Sequence, residues 1–119
     1  MNIHRGGIYA ADLNPPRGTE PGKIRPVVVV QTDLLNSHHP STLVCPITTN
    51  VKENAKYLRV HLTTGGTGLK KESDILVDQI RAIDNKRLTK EVGRVSKDQM
   101  RILVRNLQIV LDITNLSPD

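Results

Sequence analysis

Four histidines and one cysteine are the first residues of this 119-residue chain to test for chemistry. His4, His38, His39 and His61 stand at no spacing from Cys45 or a carboxylate that resembles a zinc site, and no acidic loop follows the calcium pattern. His38-His39-Pro40 reads as loop, and all four imidazoles read as exposed or structural. Asp74 and Asp78 are spaced to share one strand face. In a chain of net charge +5, two such acids serve more simply as ion-pair partners than as a magnesium site. Cys45 lies in an apolar run, where a thiol is a small inert core residue, and no glycine-flanked serine elbow is present. Gly65-Gly66-Thr67-Gly68 matches neither glycine pattern for phosphate binding and reads as a turn. What remains is a cluster around a proline-rich segment. Glu20 and Arg25 bracket its end, and Pro46-Ile47-Thr48 closes the strand expected beside it.

These residues must be carried by strands. Residues 8–13 read as a first strand; Pro and Gly then interrupt 14–23 so often that it must be a long loop. The β-branched run at 26–31 is too short and uniform for an amphipathic helix and suits a strand buried on both faces, with 42–48 as its neighbour. Residues 58–62 alternate apolar and polar, the mark of a half-buried strand. Residues 73–83 are apolar enough for one long or bent strand, and 91–95 for a last short one. Ser96 and Gln99 form a capping box that opens a helix running to about Asp112. Met100, Leu103, Val104, Leu107, Val110 and Leu111 share one face, while Ile102, Ile109 and Ile113 widen it beyond what one sheet covers. Either a second protein surface or a deep seat in the chain's own core would cover the extra width.

The length suits one domain, 1–119, with an aliphatic core, since Tyr9 and Tyr57 are the sole aromatics. Neither an apolar leader nor a membrane-length apolar run is present, and a single cysteine cannot form an intrachain disulfide, so a cytoplasmic location is expected. Residues 81–105 hold eight basic side chains against Asp84, Glu91 and Asp98. That excess suits a polyanionic partner, or equally a solvated basic surface.

Four stretches in register then resemble one family. They are Arg5-Gly6-x-Ile8-Tyr9-x2-Asp12-Leu13, Gly18-x-Glu20-x4-Arg25-Pro26-Val27-Val28-Val29-Val30-Gln31, Pro46-Ile47-Thr48, and Ser73-x4-Asp78-Gln79-Ile80-Arg81-x2-Asp84. Together they closely resemble the MazF (PemK-like) toxins of bacterial toxin–antitoxin systems. Gly7 stands where an acidic residue is common there, and residues 51–56 do not follow its pattern. The resemblance implies a mainly β (α+β) fold, a strongly curved SH3-like β-barrel with short helices and a C-terminal α-helix. It also implies a symmetric homodimer, sequence-selective endoribonuclease activity on single-stranded RNA, and a cognate acidic, MazE-like antitoxin. Arg25 and Thr48 match the family's catalytic positions, and Glu20 an acidic position of the same motif.

Chemistry agrees with that assignment. A guanidinium offers a fixed fork of donors to phosphate oxygens and to the extra charge of a pentacoordinate transition state. A threonine hydroxyl can orient a phosphate oxygen or the ribose 2′-hydroxyl. With no metal, no cofactor and no placed histidine called for, the nearest nucleophile is the RNA's own 2′-hydroxyl, which needs alignment more than activation. Glu20 would accept or relay its proton, or simply pair with Arg25. Arg17, Lys23 and Arg81 are expected to meet phosphates and Gln79 to read bases. Two other readings stay open: a gyrase poison of the same barrel class, and a noncatalytic module that binds RNA or docks an antitoxin.

Overall fold

The computed structural model describes residues 1–14, 18–19 and 23–113; Arg17 and Glu20 fall outside them. Seven strands precede one helix: β1 Gly7–Asp12, β2 Ile24–Val29, β3 Ser41–Thr48, β4 Arg59–Leu62, β5 Ser73–Leu76, β6 Arg81–Asp84, β7 Leu88–Arg94 and α1 Lys97–Val110. They form an antiparallel sheet ordered β4-β5-β3-β2-β1-β7, with β6 also on β3.

The uniform run in β2 is explained by a core on each face. Val28 joins Ile8, Cys45, Ile47, Val60, Leu62, Ile75 and Val77 under the helix residues Met100, Leu103 and Leu107. Val27 and Val29 point the other way, into a second cluster with Ile3, Tyr9, Ala11, Leu13, Val44, Ile83 and Leu88. Burying both faces removes the polar alternation that a one-sided strand shows. In β4, by contrast, Val60 and Leu62 are buried while His61 is exposed and Arg59 half-buried, as the alternation requires.

Residues 73–83 are bent rather than continuous. A 3₁₀ turn, Val77–Gln79, separates β5 from β6. β5 pairs with the end of β3 (Ile47 with Ile75, Thr48 with Asp74) and β6 with its beginning. Carried on, the first register would set Val44 against Asp78; it meets Arg81 instead, the three residues of the turn having left the ladder. Asp74 and Asp78 therefore do not share a face, contrary to the sequence expectation. Asp74 is buried in the strand, whereas Asp78 is exposed on the turn.

The last strand begins earlier than the sequence indicates, at Leu88 rather than 91. Its pairing with β1 shifts register twice, between Ile8 and Tyr9 and between Ala10 and Ala11. Such irregularities break the period-2 pattern by which a strand is read. Ahead of it, Asp84 accepts a hydrogen bond from the Lys86 amide and caps a second 3₁₀ turn, Asn85–Arg87.

The sheet path is open, with β4 and β7 at its two ends. A glycine contact brings these ends together: an added Cβ on Gly68 would lie 2.2 Å from the Val92 carbonyl oxygen, and one on Gly93 2.0 Å from that of Thr67. The loop after β4 thus packs backbone to backbone on β7, curling the sheet as a side chain at either position would forbid. Both halves of the capping box on α1 form, Ser96 with the Gln99 amide and Gln99 with the Ser96 amide. The helix stops at Val110, two residues short of expectation, because Asp112 takes a left-handed φ of 55°. Ile102, Ile109, Leu111 and Ile113 stay exposed. That rules out the deep seat in the chain's own core. No helix among the described residues is long and apolar enough to cross a membrane.

Candidate functional site

One row of side chains runs across the sheet beyond the second core. Ala11 of β1 pairs with Arg25 of β2, Thr48 of β3 with Asp74 of β5, and Asp74 with His61 of β4. The β2–β3 register, paired from Val29 and Val44 to Val27 and Pro46, sets Arg25 against Thr48 when carried two residues further. Opposed residues of antiparallel strands point to one face, about 5 Å apart. Arg25, Thr48, Asp74 and His61 therefore succeed one another on the face of Val27 and Val29, where the apolar cluster ends. Arg25 and Thr48 are both half-buried.

Each half of the row has its own supports. The Thr48 hydroxyl accepts from the Asn50 amide at 3.1 Å, which turns the chain out of β3 and leaves the hydroxyl proton available to donate. Asp74, with 2 % of its side chain exposed, accepts from the Lys52 amide at 2.9 Å, from Arg59 Nη1 at 3.2 Å and meets His61 Nδ1 at 3.0 Å. Arg59 Nη1 also donates to the Asn50 carbonyl at 2.6 Å. A single buried carboxylate thus fixes the segment that follows Thr48.

Arg81 pairs with Val44 and so shares the face of Thr48, four residues along β3. Gln79 donates from Nε2 to Thr19 Oγ1 at 3.5 Å, tying the 3₁₀ turn to the loop that leads into Arg25. Lys23 is exposed with φ 65°; its amide donates to Asn14 Oδ1 and its carbonyl accepts from the Leu13 amide, closing that loop. Arg17 and Glu20 lie outside the described residues. Lys70 and Lys90, not singled out from the sequence, line a cavity of about 380 Å³ together with Arg25. Arg94, Lys97, Arg101 and Arg105 gather with His4 and Arg5 around a second, larger cavity beside α1. Four of the eight basic side chains of residues 81–105 thus surround that cavity, while Lys90 lies beside Arg25.

Cys45 is wholly buried, and burial pushes its pKa up to about 12, against the thiolate a nucleophile needs. Tyr9 is wholly buried, its hydroxyl donating to the Asn2 carbonyl and accepting from the His4 amide; burial raises its pKa. Sequence reasoning missed His61 and its partner Asp74. The alternation at 58–62 already put Arg59 and His61 on one polar face, but only the β4–β5 register shows a carboxylate between them.

Residues 4–111 match the PemK-like, MazF-like toxins of type II toxin–antitoxin systems. The chain belongs to that family. Endoribonuclease EndoA of Bacillus subtilis (strain 168) is 36% identical to this MazF-like toxin over 111 residues, which cover 93% of this chain and 96% of the relative. A MazF crystal structure from Deinococcus radiodurans superposes with a TM-score of 0.82 at 21% identity, covering 95% of this chain and 99% of that one. A mycobacterial endoribonuclease solved with its cognate antitoxin gives 0.77 at 20% identity, over 94% and 97% of the two chains. At those identities the two structures establish the fold, a mainly β toxin fold with a C-terminal helix.

Proposed function

We propose that this MazF-like toxin is a sequence-selective endoribonuclease that cuts single-stranded messenger RNA in the cytoplasm without metal or cofactor. The observation that carries the reading is the strand register, which carried two residues on sets Arg25 opposite Thr48 where the apolar cluster of that face ends. A phosphate seated there meets a forked cation and a hydroxyl donor together. The attacking group is the RNA's 2′-hydroxyl, adjacent to its own phosphorus. Arg25 stabilises the charge that builds on the phosphoryl oxygens, Thr48 orients them, and Glu20 takes the proton. As the bond from phosphorus to the 2′ oxygen forms, the bond to the 5′ oxygen breaks and that oxygen takes up a proton, leaving a 2′,3′-cyclic phosphate and a free 5′-hydroxyl. Support comes also from the endoribonuclease relative that is 36% identical. Arg17, Lys23 and Arg81 hold flanking phosphates, and Gln79 reads a base.

The pure protein is expected to cut total RNA in excess EDTA, with mapped ends sharing one sequence motif. RNA left whole would favour the gyrase-poison or noncatalytic readings. Cleavage that needs added Mg²⁺ would overturn the metal-free mechanism.

The working form is a homodimer, silenced by an acidic antitoxin that covers the basic surface. Ile102 and Ile109 of α1, with Leu111 and Ile113 just beyond its end, are exposed apolar side chains, and an isologous contact between two copies of this surface would bury them. Sedimentation at micromolar concentration is expected to give a dimer. A monomer there would contradict the assembly.

A further inference from the structure

Beyond Thr48 the row continues into a cavity of about 360 Å³, lined by Val51, Lys52, Ala55, Lys56, His61 and Glu72 among others. His61 lies two strands from Thr48, roughly 10 Å away. That is too far to touch a phosphate gripped by Arg25 and Thr48, and suited to the nucleotide beside it. The imidazole is built into place: Nδ1 meets Asp74 Oδ1 at 3.0 Å, and the Lys52 amide and Arg59 hold that carboxylate from its other oxygen. Asp74 is 2 % exposed, whereas His61 is 45 % exposed and turns its other nitrogen, Nε2, outward, 3.9 Å from Glu72.

The charges of this cavity distinguish its ligand. Lys52, Lys56 and Arg59 are matched by Glu53, Glu72 and Asp74, so it carries no excess of cations with which to grip a phosphate. It offers instead donors and acceptors side by side, over apolar Val51 and Ala55. Such a surface reads the hydrogen-bonding edge of a base, and histidine rings also stack on bases. The volume lies at the lower end of ligand pockets and suits one base rather than a larger group.

We infer that this cavity is a nucleobase subsite for a nucleotide flanking the cut, with His61 as its specificity-determining residue and Asp74 as the positioning residue that aims the ring. The inference rests on the endoribonuclease reading above. A single-stranded RNA pool randomised around the cleavage position tests it, with cut ends sequenced for the parent, His61→Ala and Asp74→Asn. The parent is expected to prefer particular bases at one flanking position. His61→Ala, at a half-exposed site that tolerates truncation, should lose about tenfold of that discrimination at this position alone, the preferences at other positions being retained. Asp74→Asn should weaken the same preference; because this carboxylate also anchors the segment after Thr48, the effect is read as the ratio of cut sequences, which a uniform loss of rate does not change. Preferences unchanged in His61→Ala would overturn the subsite, and so would loss of cutting on every sequence, which would put His61 in the chemistry. A parent that cuts no RNA would overturn the endoribonuclease reading, and the subsite with it.

Discussion

Arg25→Ala is expected to fold like the parent and to cut RNA about 10²- to 10³-fold more slowly, the usual cost of removing one donor aimed at developing transition-state charge. Folding should survive because Arg25 stands beyond the buried run Val27–Val29 and is itself half-buried. The loss should fall mainly on kcat, since the guanidinium fork is needed most when the phosphoryl group carries its extra charge. Arg25→Lys keeps the cation but not the fork and should recover only part of the rate. Steady-state cleavage of one oligonucleotide, with a thermal melt of each variant, measures this. A folded Arg25→Ala protein that cuts nearly as fast as the parent would remove Arg25 from the mechanism.

The second large effect is on the substrate side. A single 2′-deoxy substitution in the nucleotide 5′ to the scissile phosphate is expected to abolish cleavage while leaving binding intact. Every phosphate contact survives that change, and only the nucleophile is gone. Attack by water would need a metal-bound hydroxide or a strong base. Attack by the 2′-hydroxyl needs only that oxygen, phosphorus and leaving group be held in line, which a placed cation and hydroxyl can do. Product ends offer a separate check on the unsubstituted strand. Cutting of the deoxy substrate at a comparable rate, or a 5′-phosphate on the downstream fragment, would exclude the mechanism.

Much of the scaffold for these effects is written locally. The β-branched run Val27–Val30, the alternation at 58–62 and the Ser96–Gln99 capping box each depend on neighbours a few residues away, so each is readable in the linear chain. The motif residues around Arg25, Thr48, Gln79 and Arg81 are legible for a different reason: they sit at fixed spacings within single strands or turns. Where pairing is irregular, legibility fails. The register shifts of β7 against β1 hid its first three residues, and the 3₁₀ turn at Val77–Gln79 hid the break between β5 and β6.

By itself, then, the sequence determined where most of the strands run, that β2 is apolar on both faces and β4 on one, where the helix begins, and which family's motif the chain carries. Only the tertiary structure decided which strands lie side by side, and hence that Arg25, Thr48, Asp74 and His61 form one row. The physical reason is that cross-strand neighbours are chosen by register, a sum over many weak contacts between distant segments. Asp74 shows the difference most plainly. In the linear chain it is one acid among twelve, spaced like a partner for Asp78. In the fold, a three-residue turn separates it from Asp78, and the pairing of β3, β4 and β5 buries it between Arg59, His61 and the loop beyond Thr48.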